Sequence, residues 1–310
     1  MLGLMTHTPQ HAAKERLRGI TSMIAAVFIF SIMDASLKRL SADYGAFQVS
    51  CMRCLSSLAF LCVPIAWRRS WPALRMRMPV LQLVRAGCGI GMLWTFIYAV
   101  HRLTLGETYA VLLCAPLIMT ALSVPLLGEH VPRRRWLAIG VGLAGVLLVL
   151  RPTGNVFASV ATLGIAALCA VFYALSALTV RTLGRGGNTN TGLVFWFLVL
   201  VGIATALLSL GDWHPIPRRD WAWLGLVGFT GALGQYWITD AFRRAPPSVV
   251  GPFEYTSILW AFAIDWIFWS AKPTAGLVAG AAVVIASGVY VIWDERRLSR
   301  LALAPSSPPP

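Results

Sequence analysis

The sequence predicts an all-α polytopic membrane protein of ten transmembrane helices, arranged as two inverted five-helix repeats. Three observations lead there. Only 12% of the 310 residues are charged, 57% are hydrophobic, and the mean hydropathy is +0.71, whereas a soluble domain carries roughly 25% charged residues. The apolar runs are continuous and about 20 residues long, which suits spanning helices and not the ~10-residue alternating strands of a barrel. The cationic residues fall in short runs between those stretches, so the net charge of +14 reads as charged loops and not as a nucleic-acid patch on a soluble fold.

The spans follow in order, with edges set by charge and proline. The first, about 19–38, ends at Lys38 and Arg39, and the second, 46–67, ends before Arg68 and Arg69. The third, 80–101, meets Arg102, and the fourth, 107–127, closes on Gly128 and Glu129. The fifth, 134–151, follows Pro132, and the sixth, 156–180, stops at Arg181. The seventh is 190–210. The eighth, 221–241, lies between Asp220 and the pair Arg243 and Arg244. The ninth, 248–269, runs toward Lys272, and the tenth, 274–293, follows Pro273. The connection before Asp220 is the one long enough to hold much structure.

Charge tests this count. With the N-terminus cytoplasmic and ten spans, the inside segments hold 18 of the 26 Lys and Arg residues, the outside segments hold 7, and Arg53 lies within a helix. That bias favours both termini inside, and an odd number of spans would scramble it. Trp67, Trp71, Trp136, Trp221, Trp269 and Trp293 sit near predicted helix ends, as an interfacial belt requires. The six cysteines all fall in apolar stretches. Cys51 and Cys54 form a C-x-x-C inside a predicted span, without the βαβ context of a redox motif, and read as packing. Residues 1–17 form a polar tail without the apolar core of a cleavable signal. Residues 297–310 form a second tail, Pro/Ser-rich and expected to be disordered. Both tails are expected in the cytoplasm.

The two halves, 18–152 and 153–296, overlay with an offset near 142 residues. Tyr98 to Arg102 falls against Asp240 to Arg244, and Pro132 with its following helix against Pro273 with its own. Five helices per half is an odd number, so the second half enters the membrane from the opposite side. Inverted repeats of this kind bind their solute near the midplane between the halves.

Two stretches carry a family resemblance. One runs Ala115-Pro-Leu-Ile-Met-Thr-Ala-Leu-Ser-Val-Pro-Leu-Leu-Gly-Glu129 and is followed by Trp136, Gly140, Gly142 and Gly145; the other runs Ala245-Pro-Pro-Ser-Val-Val-Gly-Pro-Phe-Glu-Tyr-Thr256 and is followed by Gly280 and Ala286-Ser-Gly-Val-Tyr290. Together with Phe30 to Lys38 and Arg53, they resemble the EamA domain of the drug/metabolite transporter superfamily, in the branch of S-adenosylmethionine and riboflavin uptake carriers. The resemblance spans about residues 18–297. It implies ten helices, two repeats and carriage of a small organic solute across the bacterial inner membrane. One departure matters: where the first half ends its fourth helix on Gly128-Glu129, the second has Trp269-Ser-Ala-Lys-Pro273, with no acid.

Charge in the hydrocarbon costs roughly 2.5–3.5 kcal/mol on insertion scales and faces a cavity or a partner. That selects Asp34, Arg53, Asp240, Glu254 and Asp265, with Glu107 at a helix edge. Glu254 is the foremost, as the anchor of a cationic group or the carrier of a coupling proton; the alternative is a hydrogen bond to a neighbouring helix. Asp265 lies eleven residues on, nearly three α-helical turns, and so on the same face. Asp34 has Lys38 at i+4 and Arg53 as its nearest cation in depth, which leaves a structural pair and a substrate-anion site both open. Among aromatic residues, Tyr255, Trp94, Tyr98, Tyr173, Tyr236 and Trp260, with Gln235, can stack on or bond a planar or cationic solute, though mid-helix rings more often pack. Gly87/Gly91 and Gly276/Gly280 have the spacing for close helix approach, within the fold or at a homodimer face.

No G-x-x-x-x-G-K-[S/T] is present, no His pair falls within a span, and no Asp-rich site exists, so neither ATP chemistry, a metal, a cofactor nor an enzyme is expected. The expected function is secondary-active export of a small polar metabolite: amino-acid-like, a metallophore or a toxic amphiphile. The alternative is uptake of a cofactor-like compound such as S-adenosylmethionine or riboflavin. The expected partners are that solute and membrane lipid, and not nucleic acid.

Overall fold

The computed structural model describes residues 9–100, 112–150, 160–257, 259, 260, 263, 267 and 275–301. Glu107, Asp265 and the far part of the ninth predicted span lie outside the described residues, as do 1–8, 302–310 and the side chain of Lys38. Among the described residues every regular element is helical. We number them α1 (Pro9–Leu40), α2 (Ala46–Trp67), α3 (Pro79–Val100), α4 (Ala115–Leu127), α5 (Arg133–Leu150), α6 (Val160–Arg185), α7 (Asn190–Ser209), α8 (Trp221–Arg244), α9 (Pro247–Val250) and α10 (Ala275–Leu301).

Local chemistry explains several boundaries. α1 starts ten residues before the predicted span, because its first turns are held by Glu15: Arg18 Nη1 donates to Glu15 Oε1 at 2.9 Å and Arg244 Nη1 to Oε2 at 2.6 Å. Thr189 caps α7 by accepting from the Gly192 amide at 3.0 Å. α4 ends on Gly128, whose φ of +65° is left-handed; the Gly128 and Glu129 amides return to the Val124 and Ser123 carbonyls. The long connection before α8 holds two 3₁₀ turns, Leu210–Asp212 and Arg218–Asp220.

Among the described residues, four stretches are both long and apolar enough to cross a membrane: Lys14–Leu37, Ala46–Trp67, Ala167–Arg185 and Asn190–Asp212. α4 and the apolar part of α10 are shorter. α8 is long, but glycines, tryptophans and Gln235 dilute its hydropathy.

The ninth predicted span departs from a regular helix. α9 is a single turn, continued by a 3₁₀ turn over Gly251–Thr256. Pro252 has no amide to donate, and 3₁₀ geometry has three residues per turn. The shared face expected of Glu254 and Asp265 cannot be followed here, because Asp265 lies outside the described residues.

Packing pairs the halves. α1 lies on α8, α3 on α6, α2 on both α7 and α8, α5 on α10, and α4 on α6. Exchanging each helix with the one five places on reproduces the pattern: α1–α8 becomes α6–α3, α2–α8 becomes α7–α3, and α4–α6 becomes α9–α1, all of which are also in contact. α2–α7 and α5–α10 map onto themselves. Small residues permit the close approaches. A Cβ on Gly234 of α8 would sit 2.6 Å from the Phe30 ring of α1. The largest core joins Met23, Val27, Met119, Ala170, Leu183 and Phe242.

Candidate functional site

The helices enclose a cavity of about 440 Å³ between the halves, lined by α1, α2, α3, α6, α7 and α8. A volume of that order suits a small-molecule site. Its walls are mainly apolar, with Phe30, Phe96 and Phe197 prominent, and a few polar groups converge on it: Asp34, Ser50, Arg53, Arg85, Tyr173, Ser176, Gln235 and Thr239. At one end the lining reaches Leu37 in the last turn of α1 and Val49 in the first turn of α2.

At the other end it stops at Val180, one residue before a set of closing contacts. Arg181 Nε of α6 meets Glu129 Oε1 at 2.7 Å, and both side chains are largely buried. The left-handed turn at Gly128 sets Glu129 beyond the end of α4, where α6 presents Arg181. Asp240 sits in the same closing layer: Ser22 Oγ donates to it at 2.9 Å and Arg244 Nε at 2.6 Å, while Arg244 also holds Glu15. These bonds tie α8 to α1, so Asp240 serves packing between the halves. A second pocket of about 230 Å³ surrounds Glu129, lined by Arg16, Arg135, Arg181 and Arg185.

The opposite face is tied by its loops. Tyr44 donates to Asp220 Oδ2 at 2.6 Å, and this bond pushes the Tyr44 hydroxyl up to about 12. Gln48 Nε2 donates to the His214 carbonyl at 2.6 Å, and the His214 amide donates to Gln48 Oε1 at 3.0 Å.

Of the residues singled out in the sequence, Asp34, Arg53, Tyr173 and Gln235 line the cavity together. Asp34 and Arg53 do not form a direct ion pair within 4 Å; Arg53 lies over the Phe30 ring, 5.8 Å from its centre, and its Nε is buried without an acceptor. Glu254 is not in the lining. It sits behind Tyr173, whose hydroxyl donates to Glu254 Oε1 at 3.0 Å, so the hydroxyl connects the cavity wall to the broken ninth helix. Tyr255 is fully buried away from the cavity, its ring against Gly142 of α5. Trp94 and Tyr98 are exposed on the outer surface of α3, and Tyr236 on that of α8. Trp260 packs edge-on against Phe28.

Sequence reasoning missed Arg85. A linear reading places it among the 18 inside cationic residues, yet it lies six residues into α3 and is only 2% exposed. Its Nη1 donates to the Leu193 carbonyl at 3.0 Å and its Nη2 to Thr239 Oγ1 at 3.3 Å, with the Phe197 ring 4.7 Å below. Its position inside the predicted span 80–101 was the available signal. The partners on α7 and α8 were not visible in sequence.

The sequence matches the EamA-like transporter family over residues 17–151 and again over 161–293. It is 29% identical over 270 residues to the pseudopaline exporter of Pseudomonas aeruginosa, covering 86% of this chain and 93% of that protein. It is 27% identical to a riboflavin transporter of Vibrio cholerae (92% and 96% covered). It is 20% identical to the S-adenosylmethionine uptake transporter of Rickettsia prowazekii (92% and 96% covered). A solved crystal structure, 18% identical, superposes with a TM-score of 0.77 over 92% of this chain and 98% of its own, a likeness of fold.

Proposed function

Because the chain belongs to the EamA-like transporter family, with the domain present twice, we propose that it is a secondary-active carrier that exports a small polar organic metabolite across the bacterial inner membrane. The observation that carries this reading is the cavity between the halves, mainly apolar with a few charged and polar groups converging on it, and bounded beyond Val180 by the Glu129–Arg181 ion pair. A cavity sealed at one end is what alternating access requires of one of its states.

In this reading there are ten spans, the repeats are 18–152 and 153–296, and their relation is inverted. The exchange pattern of the helix contacts supports the pairing of the repeats, and the 18-to-7 distribution of cationic residues supports cytoplasmic termini. The sealed end then faces the cytoplasm. The interrupted ninth helix is of the kind that places backbone and side-chain polarity near the midplane of carriers. Export is favoured over uptake by the likeness to the pseudopaline exporter. Uptake of a cofactor-like solute is the second reading, and the riboflavin and S-adenosylmethionine relatives favour it.

The test is accumulation of labelled amino acids, riboflavin, S-adenosylmethionine and cationic dyes in inverted and right-side-out vesicles. Export predicts accumulation of a solute in inverted vesicles only. Accumulation confined to right-side-out vesicles establishes uptake, and movement in neither orientation refutes the carrier.

A further inference from the structure

Among the described residues the cavity's charges do not balance: two guanidinium groups, Arg53 and Arg85, face it against one carboxylate, Asp34. Arg85 is the more telling. It lies at the cavity floor, almost wholly buried, and no carboxylate comes within 4 Å of it among the described residues. Its partners are neutral: a carbonyl, a hydroxyl and an aromatic face. Its Nε hydrogen is buried without an acceptor, as is that of Arg53. Buried guanidinium groups normally have anionic partners, because neutral bonds offset only part of the desolvation. A guanidinium fork matches a planar carboxylate, which can accept from two N–H groups at once.

Asp34, on the same cavity wall, supplies the opposite preference. Its carboxylate is accessible through the cavity and is not closed into an ion pair with Arg53. An ammonium group is its natural complement. A cation alone would meet two arginines, and a neutral planar solute would leave all three charges unpaired.

We infer that the cavity binds an aminocarboxylate, a solute with at least one carboxylate and one ammonium group, held by Arg85 and Arg53 at the acidic end and by Asp34 at the basic end. Phe30, Phe96 and Phe197 enclose its carbon skeleton. This inference rests on the carrier reading of the same cavity.

The experiment uses the full chain purified into lipid nanodiscs, with thermal stability as the readout and four probes: metal-free nitrilotriacetate, L-glutamate, riboflavin and tetraphenylphosphonium. The expected result is stabilisation by nitrilotriacetate or glutamate at lower concentration than by either other probe. Arg85→Gln raises the half-effect concentration of the aminocarboxylate at least tenfold, and Arg85→Lys, which keeps the charge but not the fork, gives an intermediate value. Preferential stabilisation by tetraphenylphosphonium or riboflavin overturns the inference, as does an Arg85→Gln protein that responds like the wild type. If Arg85→Gln fails to fold, the wild-type probe order and Arg53→Gln decide by the same criteria. Proteoliposome flux keeps the two readings apart. Flux of riboflavin or the dye without aminocarboxylate binding overturns this inference and leaves the carrier standing. Aminocarboxylate binding without flux of any solute supports the site and overturns the carrier.

Discussion

The Glu129–Arg181 contact is the sharpest handle on the sealed end of the cavity. Glu129→Gln removes the one carboxylate among the described residues that line the smaller pocket, and leaves Arg16, Arg135, Arg181 and Arg185 facing one another. The pair is short, at 2.7 Å, with side-chain exposures of 15% for Arg181 and 10% for Glu129. Removing one partner of a buried pair costs about 3–5 kcal/mol, and about 1.4 kcal/mol is a tenfold change in an equilibrium. Even the lower figure shifts the balance between sealed and open by roughly two orders of magnitude. The assay places a reporter just inside the seal: Val180→Cys, in a Cys54→Ala background because Cys54 also lines the cavity. A membrane-impermeant maleimide is then added from the cytoplasmic face of inverted vesicles, with the parent lacking Val180→Cys as control. Glu129→Gln should raise the labelling rate at least tenfold. A rate within twofold of the unmodified seal would show that this contact does not hold the end closed, and that the layer around Asp240 and Arg244 must do so.

Three further outcomes follow from the same geometry. Tyr173→Phe removes the donor to Glu254 and should lower transport without loss of insertion; Glu254→Gln should do the same, and the double variant should be no worse than either single one, a coupling read from a double-mutant cycle. Gly142→Val would bring a Cβ to 2.7 Å from Tyr255 Cδ2, against a ring with no room to move. The overpacking should cost about 1–3 kcal/mol, measured as a lower Tm and partly restored by Tyr255→Leu. The hydroxyl of Tyr44 is raised from its ordinary value near 10 to about 12. Its contribution is therefore present below pH 10 and lost as pH climbs from 10 to 12, so the Tm gap between wild type and Tyr44→Phe should close over that window. A gap that stays constant would assign the difference to packing.

Much of the fold was legible because lipid imposes simple demands. Continuous apolar runs bounded by charges located α2, α3, α5, α7 and α8 closely, and the overlay of the halves at an offset near 142 residues suggested a repeat that the family match bears out as two EamA domains. The sequence was less informative where backbone geometry departs from the α-helix. Pro252 was visible, yet reading straight through it gave a continuous α-helix where the chain forms a single α-turn and then a 3₁₀ turn over Gly251–Thr256. The site was half legible for a related reason. Sparse charges and mid-helix polar groups identified Asp34, Arg53, Tyr173 and Gln235, which do line one cavity. A lone arginine near a helix start looks like a loop charge in a linear reading. Only the packing of α6 and α7 onto α3, with Thr239 of α8 within reach, turns Arg85 inward. Trp94 and Tyr98 had the right chemistry and faced outward, because periodicity identifies a face but not what lies against it.

Arg85 has a further consequence. It belongs to the first half of the chain, yet its guanidinium donates to the Leu193 carbonyl and to Thr239, both in the second. The guanidinium is therefore a stitch across the seam along which the halves would slide. A slide along that seam would loosen this stitch, and a bound carboxylate would offer the same N–H groups new acceptors as the old ones withdraw. Occupancy and motion would then compete for one set of donors. An empty protein would be held by its own stitch, and a loaded one would be free to rock.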